Sequence, residues 1–351
     1  SIHMHFHHLH GCAPTPLASY LKALGILRLV AEQADPGARG VWKNERFVLA
    51  TRLTSDELKA FFLERYAPTP MLGPWAARAG FFKKEKARHS MGAILRSNDQ
   101  RFDDIKKGIL ACRNLLHRHE LSEKAHDDEK VNLLFWCRQE LPRTMIAWFD
   151  ACFVLRPDSA DTRRSFPPVL GTGANEGSGS YVSNYIQAVE MSLLNRSCDR
   201  HLTHALFASE RMDLSRSLSL GQFVPDTDAL GNPWDLLFCL EAMPLLASSV
   251  TRISQSGFDR TDTASPFTTQ GASAGHSTGG DDQMRGEQWF PFWNRWASAE
   301  ELRKLFASGR SQIKARNAKN SMDFARSLAR AGVSAGVDAF ERYGYYNRNN
   351  I

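Results

Sequence analysis

Apolar and polar positions alternate first with a strand period and then with a helical one. HFHHLHG (His5–Gly11) alternates and predicts a first β-strand with Phe6 and Leu9 turned inward. PLASYLKALGILRLVAEQ follows, with Leu17, Leu21, Leu24 and Ala31 at helical spacing. Gly25 inside that helix costs about 1 kcal/mol relative to alanine, so a close contact with another element is expected there. GVWKNERFVLATRL (Gly40–Leu53) reads as a hairpin turning at Asn44-Glu45, and Thr54–Glu57 as a helix N-cap opening a helix to Tyr66. Ala67–Phe82 is a loop punctuated by proline and glycine, with Trp75 expected at the surface. Broken helices are expected over Met91–Leu121, then Ala125–Leu141 and Pro142–Leu155.

Beyond a polar linker, Arg156–Arg164, the pattern weakens. Helices are expected at Ser183–Asn195, Leu202–Ser209 and Trp234–Ser249. Residues 252–287 are rich in Ser, Thr, Gly and Asp and read as a long flexible loop. Trp289, Phe290, Phe292, Trp293 and Trp296 form an aromatic knot expected in the core. The chain then reads as helical through Ala299–Ser308, Gln312–Arg330 and Ser334–Tyr343. The expected class is α+β, predominantly helical with a few short antiparallel strands or hairpins and an irregular architecture. Two regions are expected, 5–165 and 166–351, following residues 1–4 (Ser1–Met4), which read as a vector scar.

Composition narrows the function classes. No apolar run reaches the length of a membrane span, and no signal peptide is evident. The six cysteines contain no CxxC pair, which points to free thiols in a cytoplasmic protein, without a structural metal or cofactor. The net charge of +6 is segregated. Residues 301–351 hold ten Lys/Arg against four Asp/Glu, and Arg78–Arg118 eleven against four. Residues 201–300 are acidic, with six Lys/Arg against twelve Asp/Glu. Segregated basic segments point either to a polyanionic partner or to solvated helix faces.

The candidate chemistry follows these basic blocks. Lys83, Lys84, Lys86 and Arg88 in KKEKAR, with Arg96, Arg101, Lys106 and Lys107, surround the aromatic residues Phe81, Phe82 and Phe102. Arg310, Lys314, Arg316 and Lys319 form a second block. Such cations hold phosphates and position a nucleic acid without specifying its sequence. Between the blocks lies FPPVLGTGANEGSGSYVSNYIQAV, where Gly171, Gly173, Gly177 and Gly179 fall within nine residues. It is neither a Walker motif, having no Gly-Lys-Ser/Thr, nor a GxGxxG fingerprint, whose spacing it misses by one. A flexible backbone element against a nucleic-acid groove fits better, with Asn175, Asn184 and Gln187 available to read base edges. A competing reading takes His117, His119, His126 and Asp127 as the outline of a metal-dependent HD-type phosphohydrolase. His201 and His204 read as structural histidines. A third reading is a scaffold that binds only protein partners.

Five blocks carry a family resemblance. LHGCAPTPLASYLKALGILRLVAEQ, FFLERYAPTPMLGPW, PVLGTGANEGSGSYVSNYIQ, RGEQWFPFW and DFARSLARAGVSAGVDAFERYGYYNRN resemble the large subunit of the Cascade complex in type I-U (also called I-G) CRISPR systems. The blocks run in order from Leu9 to Asn349, and the sequence is expected to be the N-terminal portion of a longer subunit. The family usually shows GTGGNDG where this chain has Gly171–Gly177 as GTGANEG. The resemblance implies a non-catalytic subunit that contacts the guide RNA assembly and the PAM duplex of target DNA. It also implies other Cascade subunits and a recruited helicase–nuclease as partners. Protein then reads the PAM while base pairing reads the rest.

Overall fold

The computed structural model describes residues 3–15, 17–75, 82, 84–121, 127–152, 177–195, 199–208, 232–247, 249–255, 258–264, 284–309, 312–313, 316–317 and 337–346. The fold is α+β, mostly helical with short antiparallel strands in small sheets. Among the described residues no helix is long and apolar enough to cross a membrane.

The N-terminal unit is built from β1 (His5–Leu9), α1 (Leu17–Gln33), β2 (Arg39–Lys43) and β3 (Arg46–Thr51). The strands pair antiparallel in the order β1-β3-β2. The β2–β3 turn falls at Asn44-Glu45 as expected, with φ of 48° and 60°. Two successive left-handed residues are what a two-residue hairpin with the strands' own twist requires. β1 corrects the expected facing of Phe6, which is 58 % exposed, while His7 and Leu9 point inward. Side chains alternate along a strand, so positions three apart cannot share a face. Burial lowers the His7 imidazole below its ordinary pKa, although its Nε2 lies 2.7 Å from the Leu53 carbonyl oxygen.

α2 (Ser55–Ala60) starts on a complete capping box between Thr54 and Glu57 and runs into a π-helical turn, Phe61–Arg65. The helical middle of the chain comprises α3 (Glu85–Arg96), α4 (Asp103–Arg118), α5 (Asp127–Glu140), α6 (Arg143–Cys152) and α7 (Gly177–Val189). α7 continues into a second π-helical turn, Glu190–Leu194, and is followed by α8 (Asp199–Phe207) and α9 (Pro233–Glu241).

α1 is the organising element. It is buried without interruption from Leu17 to Val30, the pattern of a helix enclosed on all sides. On one side Tyr20 stacks on Trp42 of β2, with centroids 5.4 Å apart. On the other, Gly25 meets α9 so closely that a Cβ would lie 1.9 Å from the Phe238 carbonyl oxygen. Charged residues on α1 are paired across this packing. Lys22 Nζ lies 2.6 Å from Asp235 and donates to the carbonyls of Gly11 and Ala205. Burial opposes its charge, yet the Asp235 carboxylate outweighs burial and raises the ammonium's pKa. Arg28 donates to the Glu241 carbonyl at 2.7 Å, and Thr69 and Tyr185 donate to the Glu241 carboxylate.

The rest of the chain brings several corrections. Residues 252–255 and 258–264 are not a structureless loop: β4 (Ser249–Gln255) pairs antiparallel with β5 (Phe258–Ala264). Hydroxylic, β-branched positions support a strand without marking an apolar face, so polarity there reads as loop. β6 (Met284–Trp293) begins inside the expected loop, whose residues 265–283 lie outside the described ones. β6 leads through β7 (Ala297–Ser298), which pairs with β2, to α10 (Ala299–Ser308). The expected C-terminal helices are replaced, where described, by β8 (Gln312–Ile313), β9 (Arg316–Asn317) and β10 (Val337–Tyr346). β10 pairs along β6, and aromatic residues such as Phe340 favour such a strand.

Of the aromatic knot, Phe290 and Trp293 are in the core as expected and Phe292 lies edge-on to Tyr20 and Trp42, whereas Trp289 and Trp296 are half-buried and Trp296 lies against Phe6. Trp75, expected at the surface, is 2 % exposed and packs edge-on against Phe149. The expected boundary near residue 165 lies outside the described residues, but one hydrophobic core contains residues from both sides of it, from Leu9 to Phe306. The two regions therefore share a core. Cys12, Cys112, Cys137, Cys152 and Cys239 are buried free thiols, and burial pushes the Cys12 thiol up to about 12. Cys198 lies outside the described residues.

Candidate nucleic-acid interface

The described part of the first basic block sits at the start of α3. Lys84 is the N-cap in extended conformation, with no side-chain cap, and Lys86 and Arg88 are exposed in the first turns. A helix N-terminus carries unpaired N–H groups and a positive end, so cations beside it reinforce an anion-attracting surface. α3 is amphipathic: Ala87, Ser90, Met91 and Ile94 are buried, which leaves Lys86, Arg88 and His89 on the outer side. The cations thus stand on a packed helix. Lys83 and Phe81 lie outside the described residues.

Other members of the block turn inward. Arg101 is 6 % exposed, and its guanidinium donates to the carbonyls of Phe62, Leu63 and Tyr66 at 2.7, 2.6 and 2.8 Å. It closes the open end of the π-helical turn after α2, where unpaired carbonyls need donors. Phe82 and Phe102 are buried, and Arg88 donates to the Phe82 carbonyl at 2.9 Å. Lys106 is half-buried and donates to the Ser97 carbonyl, whereas Lys107 is exposed on α4. Arg96 is exposed at the last turn of α3.

α3 packs against α7, the helix that the glycine segment opens into. Where the N-terminal half of α3 meets the end of α7 and its π-helical turn, they leave an open cleft of about 410 Å³. Glu85, Lys86, His89 and Ser90 line one wall, and Gln187, Glu190 and Met191 the other. Glu190 Oε2 is buried there without a hydrogen-bond partner among the described residues. Gln187 Nε2 donates to the Ser183 carbonyl at 3.0 Å. The cleft is therefore lined by one ammonium, Lys86, and by the carboxylates of Glu85 and Glu190. His89, Glu190 and Met191 were not legible as a group, because two helices far apart in sequence bring them together.

The glycine segment is described only from Gly177 onward. Gly171, Gly173 and Asn175 lie outside the described residues, and Gly177 is the first residue of α7. About 15 Å of helix separates it from Gln187. Asn184 does not face a groove as expected, being 2 % exposed within α7, and Gln187, 7 % exposed, reaches only the wall of the α3–α7 cleft. Helical spacing places Asn184 with Tyr181, Tyr185 and Ala188 in the core. Of the second basic block, Arg310, Lys314 and Lys319 lie outside the described residues, and Arg316 lies on β9.

The histidines divide. His117 is exposed on α4, and His126 lies outside the described residues. His119 stacks on Trp136, with centroids 3.7 Å apart, and its Nε2 is 2.9 Å from Glu140. His201 and His204 are exposed on α8. Among the described residues no group of three or more His, Cys, Asp and Glu is arranged to hold a metal ion. Comparison with family models and with curated proteins gave no match for this chain.

Proposed function

We propose that this chain is a non-catalytic, nucleic-acid-binding subunit of a CRISPR effector, of the kind represented by the large subunit of type I-U Cascade. The observation that carries the nucleic-acid reading is the exposed Lys84, Lys86 and Arg88 cluster at the uncapped start of α3, a helix fixed to the core by Met91 and Ile94. Phosphate contacts need cations whose spacing is held, because a flexible chain loses ordering entropy on binding. The effector assignment rests on the five sequence blocks. Its partners in this reading are guide RNA, the PAM duplex of target DNA, the other Cascade subunits and a helicase–nuclease. It acts in the cytoplasm, which the buried free thiols support. No cofactor is needed.

Gel shifts with PAM-containing and scrambled duplexes, run on the chain assembled with guide RNA and partner subunits, test this. Tighter binding to the PAM duplex is expected. Equal binding to both removes the PAM role, and no binding to either removes the nucleic-acid reading.

A further inference from the structure

The outer face of the N-terminal sheet has a composition that the α3 site does not account for. Residues paired across antiparallel strands point to the same side, so the register places Phe6 and His8 of β1 on one face with Lys43 and Arg46 at the far end of β2 and β3. The opposite face, with Leu9, Phe47 and Trp42, packs on α1. On the outer face Trp296 lies across the strands, its ring 5.5 Å from Phe6 and 4.9 Å from Lys43 Nζ. Val41 and Val48 beneath are buried, so this layer is packed, yet the Phe6 ring remains 58 % exposed. β1, β2 and β3 contain no Asp or Glu, and Lys43, His8 and the neighbouring Arg295 are exposed. Glu45 in the turn and Glu301, 3.3 Å from Arg39 on the same face, are carboxylates at its edges.

We propose that this face is a stacking platform for single-stranded nucleic acid, with a base on Phe6, continued over Trp296, and phosphates held by Lys43 and Arg295. The occupant follows from chemistry. An exposed ring offers a π-face to any unstacked base, whereas a duplex encloses its bases. Lys43 over the adjoining Trp296 ring, on strands without carboxylates, and exposed Arg295 next in sequence match a polyanion. A sheet carrying aromatic side chains on its open face, with a helix behind, is a geometry that suits base stacking. The platform is separate from the α3 cations and does not depend on their role.

Fluorescence anisotropy with labelled uridylate and thymidylate dodecamers and with a labelled duplex tests the proposal. Single-strand affinity should fall about tenfold in Phe6→Ala, the effect of losing one stacked base, while duplex affinity is unchanged. Phe6→Tyr, which keeps the ring, should retain single-strand binding, and Lys43→Glu should weaken it. The fold-loss caused by Phe6→Ala should be the same in a background with alanine at Lys84, Lys86 and Arg88. Preference for uridylate would indicate contact with the ribose hydroxyl, and equal affinity would indicate stacking alone; both support the platform. Absence of single-strand binding by the wild type, or equal affinities of wild type, Phe6→Ala and Lys43→Glu, overturns it.

Discussion

Buried charge decides several residues' roles. Glu241 is 0 % exposed and is held by Arg28, Thr69 and Tyr185. Removing one partner of such a pair costs about 3–5 kcal/mol, because the other charge stays buried without compensation. Arg28→Met should therefore destabilise the fold by that order in urea denaturation, and adding Glu241→Gln should recover part of the loss. Asp35 is a second case. Its buried carboxylate accepts from Thr51 Oγ1 and from the Arg52 and Gly37 amides, and these bonds, with the Arg52 guanidinium, outweigh burial and lower its pKa. A lowered folded pKa gives stability that is present above the unfolded value of about 3.9 and is lost as pH falls through the folded one. Asp35→Asn should thus be less stable at neutral pH, and its melting temperature should change less than the wild type's between pH 5 and the acid limit. Arg101 shows the hazard of reading function from charge alone, since its guanidinium closes a helix end.

At the scale of elements, the α1–α9 contact makes the sharpest prediction. Helix propensity alone favours Gly25→Ala by about 1 kcal/mol. The Phe238 carbonyl oxygen, 1.9 Å from the added Cβ, reverses the sign, because backbone must move. A lower melting temperature in Gly25→Ala is expected; a higher one would show that α1 and α9 are not in this contact. The sequence announced a close approach at Gly25, though not that α9 makes it, and it announced the β2–β3 turn and the Thr54 capping box, which are specified by residues close together. It did not announce β10, whose pairing with β6 is set by residues some fifty positions away. Nor did it announce β4 and β5, whose polar positions lack an inward-facing pattern. At the candidate site the cations of α3 were legible as a charge run. The division of the first basic block into outward Lys86 on α3 and inward Arg101 before α4, and the cleft with Glu190, required the packing of helices far apart in sequence.

Taken whole, one core joins the N-terminal sheet, the helical middle and the aromatic knot, so the surfaces at α3 and β1 are carried by a common scaffold. The chain's segregated charge then acts through positions fixed by that core. The central claim is that the start of α3 holds nucleic-acid phosphates. The direct measurement is duplex affinity as a function of salt, for the wild type and for the variant with alanine at Lys84, Lys86 and Arg88. If all three cations contact phosphates, the variant binds more weakly and its logarithmic salt slope falls by about 2–3. An unchanged affinity and slope in a variant that melts like the wild type would contradict the claim.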